Sequence, residues 1–299
     1  MMVEYLRYSQ NWLTMEKIEK YCVGTAQIGI AGYGIANLNK SIPDANQIFD
    51  YAISNKILKI DTSNYYGKIN EIICNYSKKE ILDVYTKIGS DKDLDFFLEN
   101  CKIDRVKGCY IHHFKDYKQD RKILDNLYVA QKKGKVEKIG FSIYEKFEID
   151  EILNANLKIQ MIQLPYNVLD QRFEVYFKDL KNLGIEINVR SCFLQGLLLK
   201  DDLLISKNDF VNNKVNKTLR KFKDICSKYN ISNIQACYLF CNEIEYVDQV
   251  IVGCDSVDQL KQNIKNFSDI KIKRDDIIDD IRKISIDDKR IILPFNWEA

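Results

Sequence analysis

The stretch LKIDTSNYYGKINE, residues 58–71, ends a short apolar run on Asp61, turns through small polar residues, presents Tyr65 and Tyr66 side by side, and closes on Gly67. Two further β-branched runs also finish on ionisable residues, ILDVYTK at Lys87 and GCYIHH at His112 or His113. Gathered in one site, a carboxylate, an amine, a phenol and an imidazole would form a proton-transfer set. An ammonium beside a phenol favours the phenolate, a paired carboxylate keeps the ammonium charged, and an imidazole N–H steadies an oxygen that gains charge. At an effective dielectric of about 20, unit charges about 4 Å apart interact by about 4 kcal/mol, enough to bring a phenol from about 10 toward neutrality. The expectation is that Asp61 restrains Lys87, Lys87 lowers the pKa of one tyrosine, and that tyrosine is a general acid assisted by a histidine. Singly, each residue has a plainer explanation, because strands commonly finish in a polar residue where the chain meets water. Three complementary types on consecutive strands are harder to explain that way.

Such a set needs strands that end at one rim. Short β-branched runs alternate with amphipathic stretches along the whole chain, at 21–25, 58–61, 81–87, 107–112, 138–142, 161–164, 186–190 and 250–252. Helical periodicity fills the intervals, as in DANQIFDYAISNK and DRKILDNLYVAQKKGK, the latter stopped by Gly134. Eight such units predict an α/β fold, a (β/α)8 TIM barrel with its active site at the carboxyl ends of the strands. The first twenty residues form an N-terminal extension, and residues 200–230 add a polar loop and an extra helix before the last βα unit. No Pro-, Gly- or Ser-rich linker divides the chain, so residues 1–299 read as a single domain.

The 299 residues, 46% of them hydrophobic, can bury a full core. Their 45 basic and 43 acidic residues nearly cancel, which leaves no electrostatic footprint for nucleic acid or an anionic membrane. The first residues lack a secretory signal and no later run is long enough to span a bilayer, so a cytoplasmic protein is expected. Nine cysteines without a C-x-x-C pair read as reduced, buried small hydrophobes, and no metal site is expected. The pattern leaves the oligomeric state open.

The residues also carry a family resemblance. Asp-Thr-Ser-Asn-Tyr-Tyr-Gly resembles the D-T-A-x-x-Y-G signature of the aldo-keto reductases, whose tyrosine directly precedes the glycine, and this selects Tyr66 over Tyr65. VGTAQIG, YTK, YIHH, GKVEKIGFS, IQLPYN, VRSCFLQGLL and VIVGCDSVDQLKQN follow in family order from about Tyr21 to Phe267. By this likeness Asp61, Tyr66, Lys87 and His112 are the catalytic residues, with His113 a neighbour. GFSIY, RSCFLQGLLL, YGIAN and the terminal PFNW are similar to members associated with bacterial surface polysaccharide synthesis.

The resemblance implies a nicotinamide cofactor, since no side chain can pass a hydride. VIVGCDSVDQLKQNIKNF reads as a strand, a glycine turn and a helix whose N-terminus could face a phosphate. Ser256 and Gln259 also match the capping box S-x-x-Q, which needs no ligand. By similarity Gly253, Ser256, Gln259 and Asn263 hold the adenosine end, Ser142 and Gln163 the carboxamide, Arg190 the nicotinamide ring, and Ser191 and Gln195 the pyrophosphate. Ile143 stands where the family commonly has asparagine. The family likeness favours NADPH, while Asp255 and Gln259, at positions where relatives carry cations, keep NADH as the alternative. GIAGYGIAN, residues 29–37, lacks the third glycine of a dinucleotide fingerprint and reads as a loop near the site.

The expected function is reduction of an aldehyde or ketone, a small-molecule carbonyl substrate that could be a sugar. The alternatives are a sugar or nucleotide-sugar dehydrogenase or epimerising oxidoreductase, and a non-catalytic nicotinamide-sensing module.

Overall fold

The computed structural model describes residues 18–34, 43–242, 244–268 and 274–297. Eight parallel strands close into a barrel in chain order, β1 (Tyr21–Gly24), β2 (Lys59–Asp61), β3 (Asp83–Ile88), β4 (Val106–Ile111), β5 (Val136–Ser142), β6 (Met161–Pro165), β7 (Glu186–Arg190) and β8 (Val247–Gly253). β8 pairs with β1 through Tyr21–Val250 to Gly24–Gly253, so no edge is left. All eight expected strands form. Ile81 belongs to a 3-10 turn that precedes β3, and β8 is longer at both ends than the apolar run suggested.

Successive side chains on a strand face opposite ways, and the sequence uses that alternation strictly. Val23, Ile60, Val84, Cys109, Ile139, Ile162, Val189 and Val250 are buried in the large apolar core between strands and helices. Residues of the other parity share the inner face: Asp61, Lys87, Tyr110, Ser142, Gln163, Asn188 and Arg190. Contacts across the barrel axis follow from this, including Asn188 Nδ2 donating to Tyr110 Oη at 2.6 Å. Tyr85, Tyr110 and Met161 form a small separate cluster there.

Helices cover the outside. Asp44 caps Ala45–Ser54 by accepting from the N–H groups of Asn46 and Gln47, and Glu145 with Glu148 makes a reciprocal capping box on Lys146–Asn154. Gly134 ends the helix Lys122–Lys132 at φ 75°, a left-handed position that suits glycine. The expected extra helix is Asp209–Lys228, entered through Asn208, whose side chain accepts from two first-turn amides. The N-terminal extension through residue 17 and residues 35–37 of the expected loop lie outside the described residues. Among the described residues no helix is long and apolar enough to cross a membrane.

Gly140 marks the tightest strand approach. A Cβ there would lie 1.8 Å from the Met161 carbonyl oxygen on β6. Gly140→Ala therefore has to part β5 from β6; we expect a loss of about 1–3 kcal/mol, visible as a lower Tm by circular dichroism.

Candidate active site

Parity and strand length bring Asp61, Lys87 and His112 to the carboxyl end of the barrel. Asp61 is the last residue of β2, Lys87 the penultimate residue of β3, and His112 follows β4. Lys87 is 1% exposed and Asp61 3%, and Lys87 Nζ lies 2.5 Å from Asp61 Oδ1. The same ammonium donates to the Thr62 carbonyl at 3.0 Å, and Gln163 Nε2 donates to Asp61 Oδ2 at 2.6 Å. A buried charge pair without such extra bonds would not recover its desolvation cost.

The turn after β2 separates the two tyrosines. Gly67 adopts φ 55°, and a Cβ on it would come within 2.3 Å of the Gly29 carbonyl oxygen, while one on Gly29 would meet the Tyr66 carbonyl oxygen at 2.0 Å. This interlock explains the glycine after the second tyrosine and leaves Tyr66 lining the cleft with Lys87 Nζ 5.1 Å from its ring centroid. Tyr65 instead packs over Gly89, donates its hydroxyl to Asp91 and receives Lys92 over its ring.

The electrostatics differ from the sequence expectation in one respect. The Lys87 ammonium is taken up by Asp61 and Thr62 and sits over the Tyr66 ring, with no direct hydrogen bond to its hydroxyl. Burial, with the Asp61 carboxylate next in effect, raises the Tyr66 phenol above its ordinary value. Tyr66 is thus held protonated, as a proton donor must be at the start of a reaction. Burial and the nearby Lys87 charge push His112 down to about 2. The imidazole is neutral, and its Nδ1 lies 3.2 Å from Ser63 Oγ. That hydroxyl already accepts from the Tyr65 N–H, and its other acceptor, the Lys87 carbonyl, is 3.5 Å away. We assign the hydroxyl proton to Nδ1, which leaves the ring proton on Nε2.

Aromatic groups extend the site. His113 stacks on His112 at 4.4 Å and 8°, Tyr144 stacks on His113 at 6.1 Å and 19°, and Arg190 lies 4.1 Å over the Tyr144 ring while donating to the Ile143 carbonyl at 3.0 Å. The result is one column of four planar groups, with Phe295 edge-on to Tyr144 at 5.4 Å.

An open cleft of about 1280 Å³, part of it solvent, runs from Lys87, Tyr66 and His112 past Ser142, Tyr144 and Arg190 to Ser191, Gln195, Gly253, Gln259 and Asn263. Of the expected cofactor residues, Ser256 and Gln163 are not among its lining residues. Ser256 Oγ caps the helix Val257–Ser268 by accepting from the Gln259 N–H at 3.1 Å, while Gln259 Oε1 reaches one residue further back than a capping box requires and accepts from the Asp255 N–H at 2.7 Å. Ser191, Leu194, Gln195 and Gly196 all take positive φ in the loop after β7, a concentration of strain along one cleft wall. Asn167 props that loop by donating to the Ser191 carbonyl at 3.1 Å. Tyr33, Tyr144, Gln27 and Gln262 also line the cleft and were not singled out from sequence. Tyr144 had a usable signal, because a planar guanidinium such as Arg190 favours an aromatic face.

A closed eight-stranded barrel carries a buried Asp–Lys pair, a protonated tyrosine and a neutral histidine at its carboxyl rim, a candidate acid–base site on a TIM barrel. The Aldo/keto reductase family model matches residues 20–286, and the chain belongs to that family. It is 26% identical over 162 residues to Protein tas of Escherichia coli (strain K12) and equally to Protein tas of Shigella flexneri, covering 48% of this chain and 47% of each relative. The chain thus matches about half the length of these curated relatives. In fold it resembles the aldo-keto reductase AKR11C1 from Bacillus halodurans in its holo form (TM-score 0.71, 17% identity, 89% of this chain and 92% of that one). It also resembles the glycerol dehydrogenase AKR11B4 from Gluconobacter oxydans (TM-score 0.67, 16% identity, 92% of each).

The depressed His112 has a stability signature. Its folded value lies below the unfolded value of about 6.5, so as pH falls from about 6.5 the unfolded chain takes up a proton that the folded chain refuses, costing up to about 1.4 kcal/mol per pH unit. Urea titrations between pH 6.5 and 4.5 should show a shallower loss of stability for His112→Asn than for the native chain.

Proposed function

We propose that the protein is a nicotinamide-dependent oxidoreductase that reduces an aldehyde or ketone to an alcohol in the cytoplasm. The single observation that carries this reading is the Asp61–Lys87 pair beneath the protonated Tyr66, at the mouth of a long cleft. Tyr66 delivers its proton to the carbonyl oxygen as that oxygen gains charge. His112, neutral and donating through Nε2, stabilises the same oxygen. Lys87 stays charged in the low-dielectric floor, so the phenolate left on Tyr66 forms beside a cation, and Asp61 holds that cation in place.

The cleft suits a dinucleotide. Gly253 lets the Gln27 side chain pack against its backbone, where a Cβ would lie 1.8 Å from Gln27 Oε1, and Ser142, Arg190, Ser191 and Gln195 line the wall between that end and the acid–base group. These residues would hold the adenosine, pyrophosphate and nicotinamide portions in turn. When bound, the nicotinamide supplies the hydride that the side chains lack. The far end favours one form of cofactor over the family's NADPH: Gln27, Gln259, Gln262 and Asn263 are uncharged, and the cations among the described lining residues, Lys87 and Arg190, are engaged near the acid–base group. A 2′-phosphate needs a cation there, whereas amides suit ribose hydroxyls. The rings of Tyr33, Tyr66 and Tyr144 around the mouth suit a hydroxylated substrate such as a sugar.

Tyr66→Phe should lower kcat by about 10²–10⁴-fold while cofactor affinity holds, and Tyr65→Phe should stay near native; native-rate turnover by Tyr66→Phe would refute the reading. Side-by-side fluorescence titrations should show NADH binding at least as tightly as NADPH, and a clear preference for NADPH would overturn the cofactor assignment.

A further inference from the structure

The turn after β2 carries more than the proton donor. Its sequence, Asp-Thr-Ser-Asn-Tyr-Tyr-Gly, holds Ser63 where the D-T-A-x-x-Y-G pattern has alanine. Ser63 is fully buried, and its Oγ lies 3.2 Å from Nδ1 of His112. The other ring nitrogen, Nε2, has no hydrogen-bond partner among the described residues, and His112 lines the cleft. One nitrogen of the imidazole is thus tied into the protein while the other is left for a ligand.

We propose that Ser63 is a positioning residue that sets the tautomer of His112: by donating its hydroxyl proton to Nδ1, it keeps the ring proton on Nε2, the nitrogen offered to the carbonyl oxygen. The proposal rests on the function read above for this site. An alanine at position 63 would make no such bond.

Which nitrogen of a neutral imidazole carries the proton is decided by the bond that the other one makes. A serine hydroxyl has one proton to give and two lone pairs with which to accept. Two groups lie within reach of that proton, His112 Nδ1 at 3.2 Å and the Lys87 carbonyl at 3.5 Å. The carbonyl already accepts from the Asn64 N–H at 3.2 Å, whereas Nδ1 has no other donor among the described residues. Leaving a buried acceptor without a donor is the costlier choice. Ser63 Oγ in turn accepts from the Tyr65 N–H at 3.2 Å, so the backbone of the turn holds the oxygen in place.

The ring itself is fixed by other means. The His112 N–H donates to the Ile88 carbonyl at 2.8 Å, His113 stacks on the imidazole, and the Tyr65 ring leans on it at 5.3 Å and 45°. Tyr65 is anchored through its hydroxyl to Asp91. Packing and backbone therefore place the imidazole, but neither can choose which nitrogen is protonated. That choice falls to the Ser63 hydroxyl.

The test reads the ring nitrogens directly. His112 and His113 are the two histidines of the sequence, so the full chain labelled with 15N-histidine gives two sets of ring signals, which a His113→Gln chain assigns. At neutral pH His112 should show a protonated, pyrrole-type Nε2 and a pyridine-type Nδ1 shifted by an accepted hydrogen bond. In Ser63→Ala the Nδ1 signal should move to the position of a nitrogen without that bond. With an aromatic aldehyde as substrate, kcat should fall about three- to tenfold while NADH affinity stays within about threefold of native. A native chain with the proton on Nδ1 would overturn the proposal, and that spectrum decides the matter even if the alanine variant does not fold. Native ring signals or a native kcat in Ser63→Ala would overturn it as well. A native chain that neither bound NADH or NADPH nor reduced any carbonyl would refute the proposed function, while the ring signals would still show whether Ser63 sets the tautomer.

Discussion

The ion pair between Lys87 and Asp61 sets the terms for the rest of the molecule. Two charges taken out of water cost several kcal/mol each, and their mutual attraction offsets this only in good geometry with the remaining hydrogen-bonding capacity satisfied. The Thr62 carbonyl and the Gln163 amide meet that need. A charged inner face in turn puts the apolar burden outside, where Val, Ile and Leu of the opposite parity pack between the strands and the helices. Stability and chemistry are thus separated by the period-two alternation of the strands.

That separation explains what was legible beforehand. The outward-facing residues repeat with a fixed period, so all eight strands could be read, and the ionisable residues that break the apolar runs marked the rim at Asp61, Lys87 and His112. Tyr66 could be told from Tyr65 because a glycine follows it, and the structure supplies the reason in the left-handed backbone at Gly67 and its contact with Gly29. Features that depend on side-chain direction were not legible. Sequence order placed Lys87 near a tyrosine without saying whether its ammonium would meet the hydroxyl or lie over the ring. The downward pull expected on the phenol is outweighed by burial, a quantity no local pattern encodes. Family likeness assigns Gln163 and Ser256 to the cofactor; which groups their side chains meet within the protein, Asp61 and the Gln259 backbone, could not be read from that likeness.

The column of His112, His113, Tyr144 and Arg190 belongs to the same class of hidden feature. Its members come from the ends of β4, β5 and β7, so no window of sequence contains it. Stacking fixes ring planes as well as positions, and it spans the distance from His112 to the Arg190 guanidinium on the cleft wall. Phe295, from the segment that closes the described chain, braces the column edge-on. The loop after β7 contributes differently, by holding four residues at positive φ with Asn167 as a prop. One wall of the cleft is therefore kept in shape by packing and the other by backbone conformation.

The reciprocal fit of Gly29 and Gly67 reaches beyond local geometry. A methyl group on Gly67 would meet the Gly29 carbonyl and one on Gly29 the Tyr66 carbonyl, so neither position can acquire a side chain first without displacing Tyr66. A side chain at either position must first part the two segments, so the turn that carries Tyr66 is keyed to the segment that follows β1.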